Sequence, residues 1–395
     1  MSLAMLALIM AAGLAGPLLA VPARWGVPVL VGELALGVLI GRTGLNWVDP
    51  DQPVLGFLAN AGFALMMLVA GSHVPLRDRS LLVALRRGSL LAVITGVLAI
   101  PAGIGVAAVA GTGHAALYAV ILASSSAALV MPVVDGAALA GSAVTALIVH
   151  VAIADTACIV LLPLVTEPGR AGPAALGALA VLGGGAVVWL VMALFGRSGV
   201  LPKLQRLSLR RHFGLELRWN LIIVFALAGL AQWLGVSVML AGFTAGLVLA
   251  ASGEPRRLAT QLFAVSDGFL TPVFFVWLGA SLDLRSLGAH PVMFWCAGLM
   301  ALATVVIHCG ARILGQPLPL AILAGAQLGV PIAAVTIGTE HHLLAPGEGG
   351  ALLAAALITL GVTSAAASLA KKTVGAPAVS PPPRTTPGDP GDTVC

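Results

Sequence analysis

The stretch His150-Val-Ala-Ile-Ala-Asp155-Thr156-Ala-Cys-Ile-Val-Leu-Leu-Pro163 decides how this chain is read. It lies in an apolar run from about Ser142 to Val165, long enough to cross a bilayer as a helix. Asp155 falls near the middle of that run. A carboxylate at the centre of a spanning helix costs about 2.5–3.5 kcal/mol on insertion scales, so its presence there points to function. The plainer reading is an Asp that hydrogen-bonds a neighbouring helix and only holds a bundle together. The functional reading is favoured because most other carboxylates of the chain fall in loops, in the tail or near expected helix ends.

The composition extends this outward. Of 395 residues, 59% are hydrophobic and only 9% charged, and the mean hydropathy is +1.06. That balance excludes a soluble domain, and charge-poor runs of about 20 residues mark an all-α polytopic membrane protein rather than a barrel. In a soluble protein a net charge of +5 would suggest nucleic acid as a partner. Here the basic residues collect in loops on one side, so the partner expected is the lipid bilayer and no nucleic acid. Arg outnumbers Lys while Ala and Gly abound, a composition expected of a GC-rich bacterial genome and hence of a bacterial inner membrane. Cys158, Cys296 and Cys309 lie in apolar runs and Cys395 is the last residue. No spacing suits a disulfide framework or a metal, and the cysteines read as small packing residues. Residues 2–21 lack a charged leading region and read as a retained first helix.

About thirteen spans are expected, centred on residues 2–21, 27–41, 54–72, 88–110, 115–134, 142–165, 173–196, 219–235, 237–253, 262–281, 292–314, 317–338 and 349–370. With the N-terminus outside, all but Arg42, Arg170 and Arg285 of the 20 Lys and Arg residues fall on the cytoplasmic side. This orientation puts the C-terminus in the cytoplasm. The segment 371–395, rich in Pro, Gly and Thr, is expected to be a disordered tail, with no attached regulatory domain.

Two expected helices look broken. In the fifth span, Ser124-Ser125-Ser126 is followed by Pro132 and Asp135; in the twelfth, Gly325 and Gly329-Val330-Pro331 fall mid-span. A mid-helix proline costs about 3 kcal/mol and frees a carbonyl. In a membrane that is tolerated where protein or a water-filled cavity satisfies the freed groups. The breaks lie seven spans apart. An odd offset gives the two halves opposite topology, the pattern of inverted repeats whose crossed discontinuous helices meet at a midplane ion site. The Asp155 helix follows the first broken one.

Several stretches resemble the monovalent cation–proton antiporter superfamily, nearest its bacterial sodium–proton exchangers and glutathione-gated potassium efflux systems. They are Gly32-Glu33-Leu-Ala-Leu-Gly37-Val-Leu-Ile-Gly41, Leu65-Met-Met-Leu-Val-Ala-Gly71 with Leu76-Arg77, Ala123-Ser-Ser-Ser126-Ala127, Met239-Leu240-Ala241-Gly242-Phe-Thr-Ala-Gly246, and Pro272-Val-Phe274-Phe275-Val-Trp-Leu-Gly279-Ala-Ser-Leu-Asp283-Leu284. The resemblance runs from about residue 20 to 370. It implies a secondary transporter, not an enzyme, whose ion-binding carboxylate is Asp155. It also implies a homodimer in which core helices, about 88–165 and 292–370, move against scaffold helices, about 1–72 and 219–281. The helix at 173–196 links the two.

The chemistry expected is competition: one carboxylate holds either a proton or a monovalent cation, Na+ or K+. Asp155 supplies one or two ligands. Thr156, Ser125, Ser126 and carbonyls freed near Pro132 are candidates for the rest. With one central carboxylate, electroneutral exchange is expected, with no cofactor beyond the transported ions. Ser124, Glu33, His150 and Arg312 are accessory candidates. Glu33 and His150 read more simply as packing or hydrogen-bonding residues, and Arg312 as a cation reaching toward the cytoplasmic surface. His341, His342 and Glu348 fall in an outside loop, where a metal is a remote option. At Ala154, near Ala303 and at Val330 the chain is apolar where the family carries polar residues. This keeps a transporter-like sensor or inactive relative in play, and a sodium-coupled organic solute symporter of similar fold is the other alternative.

Overall fold

A computed structural model describes residues 1–20, 29–72, 81–136, 139–166, 169, 171–197, 214–252, 261–262, 264–282, 284–340 and 343–374. Helix dominates, as it must where no water is present to bond the backbone. The first apolar run forms α1 (Leu3–Gly13) and α2 (Ala15–Ala20), with the Ser2 hydroxyl capping the Met5 amide. Then come α3 (Val29–Ile40), α4 (Pro53–Ser72), α5 (Leu81–Ala110), α6 (Ala115–Ala123), α7 (Ala127–Gly136), α8 (Ser142–Thr166) and α9 (Ala171–Arg197). The second half holds α10 (Leu215–Trp233), α11 (Val238–Ser252), α12 (Thr271–Ser281), α13 (Leu284–Ala289), α14 (Pro291–Cys309), α15 (Leu318–Leu323), α16 (Gly329–Glu340) and α17 (Glu348–Val374). A π-helical turn, Ser266–Leu270, leads into α12, and a 3-10 turn, Gly310–Leu314, follows α14. Among the described residues seven helices are long and apolar enough to cross a membrane, and Val29–Ile40 and Val238–Ser252 are shorter apolar helices.

Two groups of helices pack among themselves. In one, α3 lies on α12 and α4 on α11. The glycines of the two outer motifs make this possible. A Cβ on Gly246 would stand 2.3 Å from the Leu68 carbonyl oxygen, and one on Gly37 2.4 Å from that of Val276. Small residues let backbones approach where lipid supplies no hydrophobic drive toward association. Gly246→Val is therefore expected to force α4 and α11 apart at a cost of about 1–3 kcal/mol. A lowered thermal midpoint in detergent, with wild-type helix content by circular dichroism, is the expected result.

In the other group, α5 packs on α6 and α8, and α14 and α15 pack on α17. Here the inverted repeat is visible in side-chain contacts. Gln316, just before α15, donates to the Ala143 carbonyl at the start of α8. Glu348, at the start of α17, takes a hydrogen bond from Tyr118 in the first turn of α6. The half-helices α6 and α15 thus enter from opposite ends of the bundle, and each begins beside the long helix that closes the other repeat. Gly315, with φ +73°, makes the left-handed turn that sends the chain from the 3-10 turn into α15.

The first helix break falls at Ser124–Ser126, within the stretch expected to be broken, and α7 carries Pro132 within its length. One expectation needs correction. The C-terminal helix runs to Val374, so residues 371–374 are helical rather than tail, with Lys371 and Lys372 in its last turn. Cations there complement the helix dipole. Residues 375–395 lie outside the described residues, as do Leu76, Arg77 and Asp283.

Candidate functional site

The first break is built by serines. The Ser124 hydroxyl donates to the Ile121 carbonyl at 2.7 Å, and the Ser124 amide bonds the same oxygen at 3.0 Å. Serine competes for backbone groups in this way, and the competition ends α6. Ser125 and Ser126 follow, both buried. The chain re-enters helix at Ala127, whose amide has no partner within α7, as at every helix N-terminus. That amide donates to Asp155 Oδ2 at 3.0 Å. Asp155 is 1% exposed and sits on the face of α8 that meets the break. A carboxylate at a helix N-terminus is favourably placed against the dipole.

The second break, from Ala324 to Leu328, crosses the first. The Ser125 hydroxyl donates to the Ala324 carbonyl. From the other side Gln327 Nε2 donates to the Ile121 carbonyl at 2.6 Å and to Thr304 Oγ1 at 3.2 Å. Pro331 lies in the first turn of α16, where a missing amide costs little. The two breaks are thus laced together by their own side chains beside Asp155.

The structure brings Asp155, Ser124, Ser125 and Ser126 together around this crossing. Thr156, next to Asp155 on α8, donates its hydroxyl to the Ala152 carbonyl at 2.8 Å and keeps its oxygen lone pairs. Glu33 lies elsewhere, buried on α3, which packs on α2 and α12. Arg312 is exposed on the 3-10 turn after α14. His150 is buried one and a half turns before Asp155, against Thr95 and His308. Ala154 and Val330 are buried, and Ala303 is partly buried in the apolar core.

Three contacts had no signal in the local sequence. Gln327 looks like a stray polar residue until the crossing is seen. Thr304 is the buried polar neighbour of Ala303. Glu348, expected in a loop, is the 1% exposed first residue of α17. It accepts from the Ala345 amide at 2.7 Å and contacts His114 Nδ1 at 2.8 Å, besides the 2.6 Å bond from Tyr118. His341 and His342 lie outside the described residues. Among the described residues no cluster of three or more His, Cys, Asp or Glu side chains is arranged to hold a metal.

A cavity of about 590 Å³ opens between α4, α12 and α16, the end of α8, the start of α9 and the turn joining α10 to α11. Its walls mix aromatic Phe63, Phe274 and Trp277 with polar Asn60, Thr166 and Thr336. It is far larger than a monovalent cation, and Asp155 does not line it.

Broken helices crossing at depth beside a buried carboxylate, within inverted repeats, define a secondary ion transporter of the membrane. The chain belongs to the sodium/hydrogen exchanger family, whose transmembrane model matches residues 5–370. This places it in the monovalent cation–proton antiporter superfamily, a group of Na+/H+ and K+/H+ antiporters and not of enzymes. It is 24% identical over 350 residues to the Na+/H+–K+ antiporter GerN of Bacillus cereus, covering 86% of this chain and 89% of the relative. It is 29% identical over 193 residues to YjbQ of Bacillus subtilis, covering 43% of this chain and 30% of that protein. It is 33% identical over 151 residues to the glutathione-regulated potassium-efflux protein KefC of Salmonella typhi, covering 37% of this chain and 23% of the relative. The alignments thus span under a third of YjbQ and of KefC but most of GerN. The sodium–proton antiporter MjNhaP1 of Methanocaldococcus jannaschii shares the fold, with a TM-score of 0.66 at 18% identity over 94% of this chain and 98% of that one.

Proposed function

We propose that the protein exchanges a monovalent cation, Na+ or K+, for protons by competition at Asp155. The observation that carries this reading is the bond from the Ala127 amide to Asp155 Oδ2 at the crossing of the two breaks. One carboxylate oxygen is anchored by the start of α7. The other is left to take a proton or a cation, and one negative charge cannot serve both. Ser125, Ser126 and Thr156 would supply neutral oxygens, and Ser124 holds the break open. No cofactor beyond the transported ions is needed for this chemistry.

The packing supports a division of labour. The helices at about 88–165 and 292–370 form a core that carries the site, those at about 1–72 and 219–281 form a scaffold, and the helix at 173–196 links them. The cavity between helices of both groups is the access route on one side, and an elevator-like movement of the core would close it and open the other. GerN, named as an antiporter of Na+, H+ and K+, supports both ions as substrates. The distribution of Lys and Arg supports an N-terminus outside and a C-terminus in the cytoplasm of a bacterial inner membrane, and the family supports a homodimer.

The test is reconstitution into liposomes with a trapped pH dye, adding Na+, K+ or Li+. Cation-dependent pH change is expected, equal in rate with and without a potassium–valinomycin clamp of the membrane potential, because one charge replaces one charge. A rate that follows the clamped potential would overturn electroneutrality. No response to any cation from folded protein would favour the sensor reading.

A further inference from the structure

Two buried histidines lie beside the crossing of the two breaks rather than at Asp155 itself. His150 on α8 and His308 on α14 are 1% and 0% exposed. Their ring centroids are 5.9 Å apart and their planes are inclined by 23°. Hydrogen-bond partners fix both tautomers. The Thr95 hydroxyl donates to the Leu91 carbonyl at 3.0 Å, so toward His150 it can only accept, and His150 Nε2, 3.3 Å away, carries the hydrogen. His308 Nδ1 lies 2.9 Å from the Thr304 carbonyl, which only accepts, so Nδ1 carries the hydrogen. The other nitrogen of neutral His308, Nε2, is then a bare base. It is buried and has no hydrogen-bond partner among the described residues.

An apolar residue would fill this place without leaving an acceptor unmet. The surroundings also hold little fixed charge. The titratable and charged groups on the elements packed around the pair are few. On α8 they are His150 itself and, beyond it, Asp155 and Cys158. On α5 they are Arg86 and Arg87, of which Arg87 bonds the Leu314 carbonyl. Cys296 lies earlier on α14, Cys309 and Arg312 follow His308, Tyr118 lies on α6 and Arg285 on α13. On α17 they are Glu348 at one end and Lys371 and Lys372 at the other. The described residues of α15 add none.

We propose that His308 Nε2 is a second proton-binding site of the membrane bundle, with His150 as its stacked positioning partner. Two imidazolium rings at this separation repel, so the pair takes one proton. His150 lies five residues before Asp155, an axial step of about 7.5 Å along α8. A positive charge on the pair therefore opposes a cation at Asp155, weakening its binding on the order of tenfold at an effective dielectric near 20. The site stands on hydrogen-bond geometry alone, and only its consequence for transport rests on the exchange reading above.

The experiment is a pH titration of protein labelled with 15N in its histidine rings, in lipid nanodiscs, between about pH 3 and pH 8. The His308 resonances are assigned by their loss in His308→Asn, which keeps a donor toward the Thr304 carbonyl, or in His308→Gln if the first variant fails to fold. Conversion of the bare Nε2 signal to a protonated one on acidification is expected. A signal that stays bare throughout would overturn the site, whether or not the protein transports. In liposomes His308→Asn is expected to lower the apparent KM for the cation about tenfold at the acid end and to leave it unchanged at the alkaline end. Superposable profiles would overturn the coupling to Asp155.

Discussion

Asp155→Asn is expected to abolish cation-dependent proton exchange while leaving the protein folded. The asparagine side-chain oxygen can still accept from the Ala127 amide, now 3.0 Å from Asp155 Oδ2, so the contact that seats α8 against the first break survives. What disappears is the charge and the titratable oxygen. A unit charge about 4 Å from a cation contributes about 4 kcal/mol at an effective dielectric near 20, which is roughly a thousandfold in affinity. Exchange should fall below detection in the liposome assay, with the thermal midpoint within a few degrees of wild type. The wild-type pH response follows from the same competition. Acidification favours the proton, so the apparent KM for the cation should rise as pH falls, by up to about tenfold per unit where the proton holds the site. Unchanged exchange in the folded variant would sink the scheme. Loss of exchange together with loss of folding would not support it, and Asp155→Ser, which keeps a short polar acceptor, then serves as the second variant.

The parts of this architecture that were readable in the sequence are those set by local composition. Apolar runs gave the membrane helices, because hydropathy acts residue by residue. The depth of Asp155 followed from counting along one run. The glycine motifs carried the family resemblance, and the structure puts them at close helix contacts, Gly37 with the backbone of α12 and Gly246 with that of α4. The first break was readable as a serine run followed by a proline, but not which of the two makes it. A proline marks a lost amide, but α7 accommodates Pro132 within its length, whereas Ser124 ends α6 by bonding Ile121. Contacts between residues distant in sequence could not be read. Gln327 reaches Ile121 across 206 residues, Glu348 reaches Tyr118 across 230, and His150 meets His308 on a separate helix. Nothing in a polar residue's own neighbourhood names its partner, so Glu348 read as a loop residue and Gln327 drew no attention.

Gln327→Leu is expected to damage the crossing more than any other single apolar replacement near it. The Ile121 carbonyl is a hub that accepts from the Ser124 amide, the Ser124 hydroxyl and Gln327 Nε2. The first two donors lie on the same chain segment and hold only the end of α6. Gln327 alone among the three ties that end to the second repeat, and it also reaches Thr304 on α14. Leucine is of similar size but donates nothing, so the bridge is lost with little change in volume. Losing hydrogen bonds between buried groups costs about 1–3 kcal/mol. The thermal midpoint should fall by several degrees, and exchange should slow at least tenfold, because the second break no longer fixes where the first presents Asp155. Ser125→Ala removes the other bridge, to the Ala324 carbonyl. If the two bridges hold one junction, the double variant should lose a different amount from the sum of the single losses, by about 0.5 kcal/mol or more. Strict additivity would mean that the bridges act independently. A Gln327→Leu protein with wild-type midpoint and rate would mean that packing alone positions the two breaks.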